Sequence, residues 1–185
     1  MRLIVVSGRS GSGKSTALAV LEDAGFNCID NLPAILLKPI VEETLYSNHS
    51  DETGLAICID ARNQSLNKFT ELFDEIDRTK VNCELVFFDA LDETLLKRFS
   101  ETQRPHPLTS KNRDLQEAIK LENKFLDKVS EKADLRIDTS ALTERELRNL
   151  VIERIIQKRE KTLNLAFCSF GYKHGVPNDA DYVFD

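Results

Sequence analysis

The stretch Gly8-Arg9-Ser10-Gly11-Ser12-Gly13-Lys14-Ser15 restricts the fold of this chain more than any other. It satisfies G-x-x-x-x-G-K-[ST] at every position. The β-branched apolar run Leu3–Ser7 precedes it, and Ser15–Asp23 follows with Leu18 and Leu21 at helical spacing. Glycines at 8, 11 and 13 reach backbone angles closed to other residues and let N–H groups approach a ligand closely. The helix start adds unpaired donors and the positive end of a dipole. Lys14 supplies a mobile cation, and the Ser15 hydroxyl is a hard oxygen of the kind Mg²⁺ prefers. The spacing therefore predicts a P-loop, with residues 8–15 around nucleotide phosphates, Lys14 between the β- and γ-phosphates, and Ser15 on the metal.

The rest of the chain alternates strand-like and helix-like stretches. Further strands are predicted at Asn27–Asp30, Leu55–Asp60, Leu85–Asp89 and Asp134–Asp138. Gly25 ends the first helix, and Pro33 opens a second helical stretch in which Pro39 predicts a break. Leu66, Phe69, Leu72, Phe73 and Ile76 recur at amphipathic spacing, and Glu93–Glu101 follows with Leu95, Leu96 and Phe99. Gln103–Asn112 holds two prolines and reads as a loop. Leu115, Ala118, Ile119, Phe125, Leu126 and Val129 mark another helix. Thr143-x-x-Glu146 is a capping box ahead of Leu147, Leu150, Val151 and Ile155. Strands separated by helices imply an α/β fold, a parallel sheet with helices on both faces. This domain is expected to span residues 1–160. Leu163–Phe170 reads as one more strand, and the loop-rich Gly171–Asp181 changes texture, so 161–185 is expected to begin a second domain that is cut short.

Composition narrows the function. With 41% hydrophobic residues the chain builds a packed core, and no apolar run reaches membrane-span length. The first residues are apolar only as far as Val6, too short for a signal-peptide core, so the expected location is cytoplasmic. Four scattered cysteines without C-x-x-C spacing suit a reducing compartment, with Cys58 and Cys83 as small core residues. A net charge of −6 argues against broad nucleic-acid attraction. Lys97, Arg98, Arg104, Lys111 and Arg113 form a local basic group, read as a solvated face or a phosphate-binding lid.

A P-loop site commonly adds a strand-end carboxylate that holds Mg²⁺ through its water shell. Asp60 and Asp89 both qualify; Asp60 is preferred, on the expectation that its strand lies beside the P-loop strand. Asp30 is a third carboxylate, facing the γ-phosphate or a substrate, or simply forming a turn before Pro33. Arg98 and Arg104 are placed to stabilise charge on transferring phosphates, or to make surface ion pairs. His106, between two prolines, reads as structural.

Several stretches in combination point further: Val6–Ser15, Gly25–Pro33, Ile59–Asn63, Arg98–Leu108, Ala133-Asp134 with Ile137–Ser140, Ser169–Pro177 and Asp179–Asp185. Over nearly the whole chain they resemble the RapZ family of bacterial nucleotide-binding proteins, also called RNase adapter proteins. The resemblance implies a kinase-like P-loop domain that binds ATP and GTP and hydrolyses them weakly. It places the ATP site on Gly8, Arg9, Ser10, Gly11, Ser12, Gly13, Lys14 and Ser15. It places a GTP-contacting segment on Asp60, Ala61, Arg62 and Asn63. Read from the residues themselves, Lys14, Asp60, Arg98 and Arg104 are the candidate catalytic residues, with Ser15 and Asp60 expected on Mg²⁺. The resemblance also implies a C-terminal domain, mostly absent here, that binds a small regulatory RNA and an amino-sugar phosphate and brings the RNA to an endoribonuclease. The outcome in enterobacterial members is control of amino-sugar synthesis, and the full-length protein is expected to be a homo-oligomer. Gln103 departs from the family pattern, standing where a second loop arginine is expected. Small-molecule phosphorylation, with Asp30 as a substrate-side base, is the competing expectation.

Overall fold

The computed structural model describes residues 1–46, 54–62, 66–157 and 170. Five strands, β1 (Arg2–Gly8), β2 (Phe26–Ile29), β3 (Gly54–Cys58), β4 (Asn82–Asp89) and β5 (Leu135–Asp138), form one sheet in the order β2-β3-β1-β4-β5. Every pairing is parallel. Leu3 stands opposite both Leu55 and Cys83, so β1 has a neighbour on each side and is buried on both faces. Continuous β-branched sequence is what such a strand requires.

Alternation along β1 feeds two cores. Leu3 and Val5 face one, with Leu37 and Val41 of α2 (Leu37–Tyr46), Phe69 and Phe73 of α3 (Phe69–Asp74), and Leu126 and Val129 of α5 (Leu115–Glu131). Ile4 and Val6 face the other, with Leu18 and Leu21 of α1 (Lys14–Asp23) and Leu147 and Val151 of α6 (Glu144–Val151). A smaller cluster joins Leu95 of α4 (Asp92–Thr102) to Ile119. The sheet is thus covered on both sides and gathers its loops at the carboxyl ends of the strands, where ligands bind in open α/β sheets.

Local rules account for most boundaries. Thr143 caps α6 in a full capping box with Glu146, and Asp114 caps α5 through the Glu117 amide. The predicted break at Pro39 is absent. A 3₁₀ turn over Ala34–Leu36 runs into α2, and Pro39 falls in the helix's first turn, where no N–H is needed. The helix predicted around Leu66–Ile76 is a 3₁₀ turn, Leu66–Lys68, followed by the short α3. Helix α6 passes into a π-helical turn, Ile152–Ile156. The helix expected from Leu115 to Val129 is α5, in which Phe125 is 49% exposed while Glu122 is fully buried in the apolar stripe. The preference for Asp60 over Asp89 by strand adjacency does not separate them, because β3 and β4 both flank β1. Asn63, Leu163–Ser169 and Gly171–Asp185 lie outside the described residues. Among the described residues no helix is long and apolar enough to cross a membrane.

Candidate functional site

Strand β1 ends at Gly8, and the chain turns back on itself before α1 begins at Lys14. The turn is stitched by Arg9 N–H to Phe88 O at 3.1 Å and Ser12 N–H to Arg9 O at 3.1 Å. Gly11 and Gly13 have φ of 84° and 99°, a region that favours glycine. The amides of Lys14, Ser15 and Thr16 open the helix and have no carbonyl one turn back to bond. They are the donors a phosphate requires. Lys14 Nζ donates to Gly8 O at 2.7 Å and Arg9 O at 2.8 Å, which holds the ammonium across the turn. With three protons, it has one more to give to an anion.

A cavity of about 570 Å³ opens over this loop, within the range of small-ligand pockets. Its wall brings together Gly11, Lys14, Ser15, Asp60, Arg98 and Arg104, residues drawn from well-separated parts of the sequence. Ser10, Gly13, Asp30 and Arg62 also line it. Gly8 and Ser12 are buried in the base of the loop. The Arg9 side chain turns away: it is buried and pairs with Asp92 at 2.6 Å and Asp89 at 3.6 Å behind the loop. Arg9 can therefore serve a ligand only through its backbone.

The two strand-end carboxylates part company here. Asp60 lies two residues beyond β3, is 4% exposed, and lines the P-loop cavity. Asp89 ends β4 and lines a separate cleft of about 500 Å³ with Arg9, Asp92 and Asp138. Burial raises the Asp89 carboxyl from its ordinary range, with Asp138 adding and the Ala90 amide and Arg9 opposing. Asp60 accepts the Arg62 amide at 2.9 Å and the Arg62 guanidinium Nε at 2.8 Å. Arg62 is thereby clamped over Asp60, and the pairing raises the guanidinium further above its ordinary value. Ala61 is buried between them in sequence.

Arg98 reaches from α4 to donate to Gly11 O at 2.9 Å and to Thr139 Oγ1 and O at 3.0 and 2.6 Å. Thr139 in turn donates to Ser12 O or Asp89 O, each at 3.0 Å, tying the end of β5 to the loop. Burial lowers the Arg98 guanidinium, with Asp138 opposing, but an arginine stays charged at neutral pH. Arg104 is exposed on the cavity rim and has no hydrogen bond or ion pair among the described residues. The departing residue Gln103 caps α4 in the left-handed region, φ 51°, and is exposed.

Cys58 lies on the cavity floor, but burial pushes its thiol up to about 12; Lys14 opposes, and Asp30 and Asp60 add. A thiol kept protonated is no nucleophile at neutral pH. A magnesium ion fits the oxygens present. The Ser15 hydroxyl and the Asp60 carboxylate share one cavity, and no cluster of three or more His, Cys, Asp or Glu able to hold a metal occurs among the described residues. Mg²⁺ that is shared between one or two side chains, phosphates and water needs no all-protein cage.

Two participants were given no role from the sequence. Thr139 sits in an unremarkable strand end, and nothing in its type reveals its bonds. Glu122 did leave a signal: it falls three residues after Ile119 and four before Leu126, a charged residue inside an apolar helical stripe.

The model of the RapZ-like N-terminal domain matches residues 1–159. A protein of Azotobacter vinelandii named nucleotide-binding protein is 51% identical over 187 residues, covering 100% of this chain and 66% of that protein. One of the same name from Pseudomonas aeruginosa is 50% identical, again with 100% of this chain and 65% of the relative covered. The chain thus spans just under two thirds of these relatives' length. Among solved structures, shikimate kinase from Acinetobacter baumannii in complex with shikimate superposes with a TM-score of 0.53 at 17% identity, covering 86% of this chain and 95% of that one. The tunicamycin resistance protein of Deinococcus radiodurans gives 0.52 at 11% identity, covering 84% and 96%. These likenesses speak to fold alone, and the fold is that of a P-loop kinase. With its model matched over most of the sequence and relatives at half identity along the whole of it, this chain belongs to the RapZ-like N-terminal domain family.

Proposed function

We propose that this chain binds the triphosphate of ATP or GTP at the P-loop, with Mg²⁺, and hydrolyses it weakly. The observation that carries the reading is the convergence on one cavity of Lys14, Ser15, Asp60, Arg98 and Arg104 around a loop whose amides face outward at a helix start. In this reading, the amides of Gly11, Gly13, Lys14 and Ser15 and the Lys14 ammonium take the β- and γ-phosphates. Ser15 and Asp60 would hold a hydrated Mg²⁺, which would supply charge to offset that of the phosphates. A cation at Asp60 would compete with the Arg62 guanidinium, which now holds the same carboxylate. Arg98 and Arg104 lie over the developing charge. The names of the relatives support nucleotide binding.

In the longer protein, this unit would be the nucleotide-dependent part of a homo-oligomeric cytoplasmic RNase adapter. A C-terminal domain, beginning near residue 161, would recruit a small RNA and an endoribonuclease. A net charge of −6 supports leaving RNA to that other part. A second reading, a small-molecule kinase, is favoured by one observation: Asp30 and Asp60 line the P-loop cavity together, where a hydroxyl acceptor would meet a base.

Titration calorimetry and turnover with ATP and GTP test both readings. Binding is expected to strengthen with Mg²⁺, and Asp60→Asn is expected to remove about tenfold of that Mg²⁺-dependent gain. Slow turnover that no hydroxyl compound accelerates supports the adapter reading. Fast acceptor-dependent turnover supports the kinase. Binding indifferent to both Mg²⁺ and Asp60 contradicts the metal assignment.

A further inference from the structure

Directly behind the phosphate loop, the side chains of Glu122 and His106 are both fully buried. Glu122 Oε2 accepts the Ser10 backbone N–H at 2.9 Å, and Oε1 accepts the Ser10 hydroxyl at 2.6 Å. His106 Nε2 lies 3.1 Å from Oε2. The proton on that ring can be assigned: Leu108 N–H donates to Nδ1 at 3.1 Å, so Nδ1 is bare and a neutral ring donates from Nε2 to Glu122. Burial alone would raise the Glu122 carboxyl, but the His106 and Ser10 donors and the nearby Lys14 charge together hold it below its ordinary range. A buried ionised carboxylate is costly, and here it is met by three donors, two from one loop residue and one from another segment.

That other segment carries Arg104. His106 stands between Pro105 and Pro107, two residues after Arg104, and both prolines line the P-loop cavity. Its ring packs 5.0 Å from that of Phe99, which lines the cavity too. The prolines restrict the backbone on either side of His106, so fixing the ring fixes the approach of Arg104. Glu122 therefore grips both the phosphate loop at Ser10 and the arginine segment at His106.

We propose that Glu122 is a positioning residue that sets the P-loop at Ser10 and, through His106, makes the placement of Arg104 and the binding of a triphosphate one coupled event. The inference rests on the nucleotide reading above and names how that site is held together.

The test uses the full chain, a non-hydrolysable ATP analogue with Mg²⁺, and the variants Glu122→Gln and Glu122→Met. Glutamine can keep its carbonyl toward Ser10 N–H and His106 while its amide donates to a turned Ser10 hydroxyl; methionine keeps only the volume. The analogue is expected to bind the glutamine variant within about threefold of the unaltered chain, and the methionine variant at least about tenfold more weakly. In the unaltered chain, the ¹⁵N resonances of the His106 ring are expected to shift on saturation, together with the Ser10 amide. This second readout stands even if the methionine variant fails to fold. A methionine variant that binds like the unaltered chain, a glutamine variant as weak as the methionine one, or a His106 ring unmoved at saturation overturns the proposal. If the unaltered chain takes up no analogue at all, the nucleotide reading falls and the proposal with it. If it binds and Lys14→Ala does not, only the proposal is at stake.

Discussion

Replacing Lys14 with alanine is expected to weaken ATP or GTP binding by at least about 100-fold, since a charge-assisted contact to phosphate is worth ~1.5–3 kcal/mol and this ammonium meets more than one oxygen. The geometry sets the size of the effect. Lys14 is 9% exposed and already held by two carbonyls of its own loop, so its charge is positioned before any ligand arrives. Little rotamer entropy remains to be lost on binding. Removal leaves Gly8 O and Arg9 O without that donor but also deletes a buried charge. Folding stability is expected to move by no more than ~2 kcal/mol, because these terms oppose each other. Calorimetric titration read beside a urea melt separates the two quantities. Unchanged affinity in a folded variant would contradict the role given to the lysine.

The second large effect falls on the fold. A Cβ built at Gly8, where φ is 140°, lies 2.0 Å from the Phe88 carbonyl oxygen. Gly8 and Phe88 are paired residues of β1 and β4, the central ladder of the sheet. Neither backbone can move without opening that ladder, and the Arg9 N–H bond to the same oxygen would go with it. Gly8→Ala is therefore expected to cost upward of about 4 kcal/mol, the range reserved for mutations that force a backbone clash. Gly11 is the control. At φ 84° its added Cβ would meet only Phe99 and Leu95 side-chain carbons, at 3.3 and 3.4 Å. Gly11→Ala is expected to cost ~1–2 kcal/mol, the left-handed penalty alone. Urea denaturation midpoints compare the pair, and equal midpoints would remove the distinction drawn between a glycine needed by the sheet and one needed by the turn.

What could be read from the sequence was whatever rests on local pattern. The P-loop spacing, the capping box at Thr143 and the β-branched run ahead of Gly8 are each complete within a few residues, and the structure places them as strand, turn and helix starts accordingly. Pro39 misled because proline's cost depends on its place within a turn, and the helix start was misplaced by a 3₁₀ lead-in. Asp60 and Asp89 looked alike because both follow an apolar strand, and both strands border β1. Only the side on which each opens, over the P-loop or behind it with Arg9, tells them apart. Arg9 itself illustrates the limit: its place in the P-loop put it in the expected ATP site, yet its partners Asp89 and Asp92 lie about eighty residues away and draw its side chain inward. Phe125 is half exposed despite its size, while Glu122 occupies the stripe because three donors await it there.

The most direct test is a crystal structure of this chain with Mg²⁺ and a non-hydrolysable ATP or GTP analogue. The account requires the β- and γ-phosphates against the amides of Gly11, Gly13, Lys14 and Ser15 with the Lys14 ammonium between them, the metal at Ser15 and Asp60, and Arg62 moved off Asp60. A triphosphate seated instead in the Asp89–Arg9 cleft, or a metal held at Asp89 with Asp60 still clamped by Arg62, would contradict it.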